Sequence, residues 1–209
     1  YVRSSLERAN ESRREMEAVN VKLLKQSETD QMTGLANRYR LNAYSEKVLD
    51  YCYEHRLPLA MEILDIDFFK QYNDNYGHQQ GDECIIAIAN ELKKMEDGQT
   101  FCARYGGDEF IIIYAGISAE EVHAKAGALR QNIMNLKLEH LYSKALPIVT
   151  ISQGISYGVP EEGNRSWDFL HTADMLLYQV KKKSRNDICI ADIRGQELDL
   201  SSKQEKVEP

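Results

Sequence analysis

No run of about 18 apolar residues occurs in the 209-residue chain, and no signal-peptide pattern opens it. The segment is therefore expected neither to span a membrane nor to be addressed for export. Basic charge is also short: Lys and Arg total 26 against 33 Asp and Glu, a formal net charge of −7. That balance disfavours binding to a nucleic acid polymer or an anionic lipid surface. It leaves room for a polyanionic small molecule, provided metal ions and a few placed cations offset the local repulsion. Paired cysteines are missing too. Cys52, Cys84, Cys102 and Cys189 are scattered without a CxxC, and the last three have apolar neighbours. Such a pattern indicates reduced, buried thiols and a cytoplasmic location. The first residue is Tyr1 rather than Met, and the expectation is a piece of a longer polypeptide whose sensor domain or membrane anchor lies elsewhere.

Proline and glycine are absent from residues 1–28, which are crowded with Glu, Arg and Lys. This stretch is expected to be a helix preceding the globular part. Val2, Leu6, Ala9, Met16 and Leu23, with Arg13 and Asn20 in the remaining seam positions, fit alternating steps of four and three. A parallel dimer stalk would have that spacing, and a polar Asn20 in the seam would fix its register. A solvated single helix lying on its own domain is the alternative.

Residues 29–191 are expected to form one domain, and 192–209 a polar, frayed tail. Helices are expected over 38–55, over 81–96 from the spacing of Cys84, Ile85, Ile88, Ala89 and Leu92, and from the SAEE capping box at 118–121 to about residue 137. A further helix covers WDFLHTADMLLYQVKKK. Strands are expected at LAMEILDI (59–66), at IVTISQGISYG (148–158), at DICIAD, and in a hairpin whose arms TFCARY and DEFIIIY are joined by Gly106-Gly107. Strands interleaved with helices around a hairpin imply an α/β sandwich: a mixed central sheet with helices over its faces.

The strand LAMEILDI delivers Asp65 and Asp67 at its carboxyl end, pointing the same way by period-two alternation. The hairpin delivers Asp108 and Glu109. Adjacent residues on a strand face opposite sides, so only one of these would join Asp65 unless the twist of the turn lets both reach it. Carboxylates gathered at one sheet edge repel each other unless a cation sits among them. Mg²⁺ or Mn²⁺ suits such a site, since these hard cations take one or two carboxylates together with waters and substrate phosphates. Two such ions can clamp the attacking and leaving oxygens of a phosphoryl transfer. The glycines beside the carboxylates let the backbone turn and approach a ligand closely. The competing reading of Asp108-Glu109 is a solvated strand end.

The GGDEF stretch at 106–110 does not stand alone. With DQMTGLANR (30–38), DIDFFKQYNDNYGHQQGD (65–82), TISQGIS (150–156) and LLYQVKKKSRN (176–186), it resembles the diguanylate cyclase, or GGDEF, family over about residues 28–191. The resemblance implies the nucleotidyl cyclase or polymerase palm fold. It implies condensation of two GTP into cyclic di-GMP with release of two pyrophosphates, by a homodimer holding one GTP per domain and two Mg²⁺ or Mn²⁺ per active site. It makes Asp65, the main-chain carbonyl of Ile66 and Asp108 metal ligands. Glu109 becomes a further carboxylate for metal support or deprotonation of the 3′-hydroxyl, and which of Asp108 and Glu109 is the base stays open. Asn73 and Asp82 match positions that read guanine, and a carboxylate suits its N1–H and exocyclic amine. His78 matches another substrate contact, with a helix cap as the alternative. Phe68, Phe69 and Lys70 would offer main-chain N–H groups at a helix start, with Lys70 the weaker phosphate candidate, while Gly106 and Gly107 would admit the nucleotide closely. Lys181 and Arg185, four apart on the late helix, match cations for the β- and γ-phosphates. The same basic run also complements a helix dipole.

Two departures stand out. Many relatives carry an RxxD product-inhibition site just before the hairpin, where this chain has Asp97, Gly98, Gln99 and Thr100. Val180 replaces the alanine usual beside the lysine, a change in packing expected to be tolerated. A catalytically silent domain that binds GTP or cyclic di-GMP as a regulator is the alternative, and a bare dimerisation module is a third reading. Intact hairpin carboxylates and glycines argue for the enzyme.

Overall fold

The computed structural model of the chain describes residues 28–196 and 198, together with residues 10, 11, 13, 14 and 16, which are helical. Apart from Arg13 and Met16, the amino-terminal seam lies outside the described residues, as does most of the tail.

The described chain runs α1 (Arg38–His55), β1 (Leu59–Ile66), α2 (Phe69–Tyr76), α3 (His78–Met95), β2 (Thr100–Gly106), β3 (Glu109–Ala115), α4 (Ala119–Asn135), β4 (Ile151–Gly158), α5 (Ser166–Lys183) and β5 (Ile188–Asp192). Local chemistry sets several of these ends. Asn37 Oδ1 accepts the Arg40 N–H before α1, and Ser118 and Glu121 form the reciprocal capping box before α4. Two boundaries differ from the sequence expectation by three residues. α3 starts at His78 rather than 81. β4 starts at Ile151, because Ile148 bridges Glu139 and the Pro147 carbonyl accepts from His140, tying residues 138–149 into a separate loop.

The sheet order is β2-β3-β1-β4-β5, antiparallel except for the parallel β4–β5 pair. β1 is central, and its alternate residues serve two layers. Leu59, Met61 and Ile63 pack with Leu41, Leu49 and Cys52 of α1 and Phe169 of α5. Ala60, Leu64 and Ile66 pack with Phe69 of α2, Ile88 and Leu92 of α3, and Val122 of α4. The same alternation turns Asp65 toward the α1/α5 layer. Among the described residues no helix is long and apolar enough to cross a membrane, and none of the four cysteines is in a disulfide.

Glu62 sits in the α3/α4 layer with no solvent exposure, accepting from Tyr114 Oη at 2.7 Å and Gln153 Nε2 at 2.7 Å. Burial raises its pKa from 4.5 to about 7, outweighing both hydrogen bonds. The folded chain thus holds a proton that the unfolded chain releases near pH 4.5. Stability from the neutral form is complete below pH 4.5 and is lost as pH rises through 7, a loss of about 3 kcal/mol. Denaturant unfolding of Glu62→Gln beside the unaltered chain should give curves that coincide near pH 5 and separate by pH 8, with the variant the more stable. A difference independent of pH would show that another group titrates.

Candidate active site

β1 and β3 pair so that Asp65 stands directly opposite Glu109. Cross-strand partners share a face, so both carboxylates point toward α5. The expected Gly106-Gly107 turn is corrected here. Gly106 still belongs to β2 and pairs with Glu109, and Tyr105 is an extra, bulged residue. The turn is therefore Gly107-Asp108, with Gly107 alone supplying the positive φ of 55°. This one-residue slip puts Glu109 on the ladder and Asp108 in the turn.

α5 brings Lys181 to the pair, its Nζ 2.8 Å from Asp65 Oδ2. Asp65 is only 8% exposed, and its pKa is raised to about 6. Burial is the main cause, Lys181 opposes it, and the charges of Asp108 and Glu109 add to it. The Glu109 pKa is raised by burial and by Asp108 and Asp174, again against Lys181. Glu109 and Lys181 share a cavity of about 230 Å³ with Asp174, Met175, Leu177 and Tyr178. One lysine thus faces several carboxyl groups, leaving negative charge to spare.

Among the described residues no three His, Cys, Asp or Glu side chains close into a ready-made metal cage. The donor set nevertheless fits a hard divalent cation that takes the rest of its oxygens from phosphate and water. Asp65, the Ile66 carbonyl at the strand end, Asp108 and Glu109 are the groups that would hold it.

Asp67 does not join this cluster, contrary to the alternation argument. It lies one residue past β1, fully buried, accepting from Thr150 Oγ1, Ser152 Oγ and the Asn186 N–H, with Arg185 3.5 Å away. Phe68 then takes a left-handed conformation (φ 57°) and α2 starts at Phe69, which is buried, followed by the exposed Lys70. Arg185 is also corrected: α5 ends at Lys183, and Arg185 lies beyond it at φ 53°, its guanidinium 4.2 Å from the Phe68 ring centroid. Lys181 and Arg185 thus reach two neighbouring segments, β1 and the turn after it.

The predicted guanine-reading residues sit on the crossing of α2 and α3. Gly81 leaves no room for a Cβ beside Asn73, whose Oδ1 is buried without a hydrogen-bond partner, and Asp82 is exposed next to it. His78 is the exposed first residue of α3.

Sequence reasoning assigned no role to Arg104, which secures the hairpin. Its Nε and Nη2 donate to the Gly107 carbonyl at 3.1 and 2.8 Å, and its Nη1 donates to Asp30 Oδ1 at 3.2 Å. Asp30 in turn accepts from the backbone and hydroxyl of Thr33. The signal lay in the quoted DQMTG segment and in an arginine two residues before the glycines.

Comparison with known proteins agrees with this geometry. The family described as "Diguanylate cyclase, GGDEF domain" matches residues 27–187. The probable diguanylate cyclase DgcC of Escherichia coli is 35% identical over 163 residues, 77% of this chain and 42% of that protein. The diguanylate cyclase DgcP of Pseudomonas aeruginosa is 33% identical over 190 residues, 89% of this chain and 28% of that protein. The chain therefore spans less than half the length of these relatives. Among solved structures, the coiled coil and GGDEF domain of DgcB from Caulobacter crescentus, in complex with c-di-GMP, superposes with a TM-score of 0.72 at 28% identity, covering 88% of this chain and 97% of that one. On matched length, fold and hairpin, the chain belongs to the diguanylate cyclase, GGDEF domain family.

Proposed function

We propose that this chain condenses two GTP into cyclic di-GMP, releasing two pyrophosphates, as a cytoplasmic homodimer of domains. The observation that carries the reading is Asp65 opposite Glu109 with Lys181 between α5 and the pair. Each domain holds one GTP, its guanine against Asn73 and Asp82 and its triphosphate toward the Phe68–Lys70 turn. Two Mg²⁺ or Mn²⁺ would screen the phosphate charge beside Asp65 and Asp108. The 3′-oxygen of one GTP attacks the α-phosphorus of the other in line, its proton passes to Glu109 or Asp108, and pyrophosphate leaves. Lys181 is well placed to exchange Asp65 for a β- or γ-phosphate oxygen, its flexible stem giving it reach. Arg185 serves the same leaving group.

Incubating the purified chain with GTP and Mg²⁺ and separating the products tests this. Cyclic di-GMP and pyrophosphate in a 1:2 ratio, at a rate rising faster than linearly with protein concentration, are expected. Unchanged GTP at high protein concentration would overturn the reading and favour a silent regulator.

Feedback inhibition through the RxxD position is not expected. Asp97 stands where the arginine would be and is ion-paired to Lys125 at 2.8 Å, and Lys125 also donates to Thr100 Oγ1. Added cyclic di-GMP should leave initial rates unchanged. Tight binding of a product dimer to this segment would contradict the assignment.

A further inference from the structure

His140 lies in the loop between α4 and β4, remote in sequence from every predicted site residue, and has no solvent exposure. Its Nε2 is 3.1 Å from the Phe68 carbonyl. That oxygen can only accept, so Nε2 carries the proton and Nδ1 is bare, and Nδ1 is buried without a partner. Burying an imidazole with one nitrogen unpaired is unfavourable, so the bond made by the other nitrogen is what distinguishes this residue from an apolar one. The ring meets Tyr72 and Tyr76 of α2 edge-on, at 5.1 and 6.3 Å, while Tyr76 Oη accepts the Leu141 N–H at 3.0 Å. The loop is thereby clamped to α2.

Phe68 is the residue that needs holding. A left-handed conformation in a residue with a side chain persists only where the surroundings enforce it. Besides the Tyr72 N–H of α2, which donates to the Phe68 carbonyl at 3.0 Å, three contacts from outside the helix enforce it here. Thr150 accepts the N–H of the preceding Asp67 at 2.9 Å, Arg185 lies over the Phe68 ring, and His140 grips the carbonyl. The first two come from the residue before β4 and the segment after α5, leaving His140 as the side chain that fixes the peptide joining Phe68 to Phe69. That peptide orients the N–H groups at the start of α2 and lies two residues past the Ile66 carbonyl.

The geometry points to His140 as a positioning residue for GTP: by donating Nε2–H to the Phe68 carbonyl, it locks the turn whose main chain receives the triphosphate. This rests on the proposed function and names a further residue on which that site depends. His140→Phe keeps an aromatic ring against Tyr72 and Tyr76 but removes the donor. His140→Gln keeps a side-chain N–H near the position of Nε2. Loss of one hydrogen bond to a binding element predicts a KM for GTP raised about tenfold in the Phe variant with kcat changed less than about threefold, and recovery of most of the loss in the Gln variant. Preference for GTP over ATP should not move, because the guanine-reading residues are untouched. Tyr142→Ala, which disturbs only the exposed ring packed on Tyr76, should leave KM unchanged.

An unchanged KM in a folded Phe variant would overturn the inference, as would loss of both variants to unfolding, which would make the role one of stability alone. Imidazole ¹⁵N spectra of the unaltered chain give a reading that needs no variant. A protonated Nε2 supports the contact, and a protonated Nδ1 with bare Nε2 rules it out. If the unaltered chain neither binds nor converts GTP, the proposed function fails while those spectra still decide whether His140 holds the turn.

Discussion

Asp65→Asn should lower cyclic di-GMP formation about a thousandfold while leaving the domain as stable as before or more so. The two halves of this expectation have one cause. With its pKa raised to about 6, the Asp65 carboxylate is less comfortable in the folded chain than in the unfolded one. The folded-state disadvantage at pH 7 is about 3 kcal/mol, which the Lys181 contact does not cancel. Asparagine is nearly the same size, carries no charge toward Asp108 and Glu109, and gives up the ion pair. The balance predicts a gain of up to about 2 kcal/mol in unfolding free energy. Function needs the charge that stability disfavours, since a neutral amide is a poor ligand for a hard cation and no longer competes for Lys181. Turnover and denaturant midpoint measured on one preparation separate the roles. A variant that is inactive and also less stable would make Asp65 a structural residue, and an active variant would remove it from the chemistry.

The same tension explains which parts of the molecule were legible in the sequence. Alternating apolar residues and a capping box gave α1, β1 and α4 almost to the residue, because their ends are set by local chemistry: Asn37, Pro58 and Ser118. The crowding of carboxylates at the β1 and β3 ends was equally readable, being a consequence of strand periodicity. The turn was misplaced because nothing local distinguishes Gly106-Gly107 from Gly107-Asp108. The bulge at Tyr105 belongs to the way β2 must twist to bring Arg104 onto both Asp30 and the Gly107 carbonyl. Asp67 and Arg185 were misread for a related reason. Each lies just past the end of a regular element, where period rules stop: Asp67 takes its position from Thr150, Ser152 and Arg185, and Arg185 from Asp67 and the Phe68 ring. His140 was invisible, since its partner is a main-chain carbonyl 72 residues away.

Gly154→Ala should destabilise the domain by about 3 kcal/mol or more, lowering the melting temperature by roughly 6–12 °C. Gly154 sits in the interior of β4, opposite Ile63 of β1 and Cys189 of β5, on the face that α5 covers. An added Cβ would lie 2.2 Å from the Ala173 carbonyl oxygen and 2.3 Å from the Leu177 nitrogen. Those two atoms, four residues apart, are partners in one helical turn, so the methyl group would press on backbone and not on the end of a flexible side chain. α5 would have to lift from the sheet. Because α5 carries Lys181, whose ammonium rests 2.8 Å from Asp65, a displaced helix also misaligns the only cation facing the carboxylate pair among the described residues. Turnover should therefore fall at temperatures where the variant is still folded, since misplacement by about 1 Å costs on the order of a hundredfold. Gly98→Ala is the matched control: an added Cβ there meets nothing within 4 Å, and both stability and turnover should hold. Equal behaviour of the two variants would mean that the close approach of α5 to β4 is not what places Lys181.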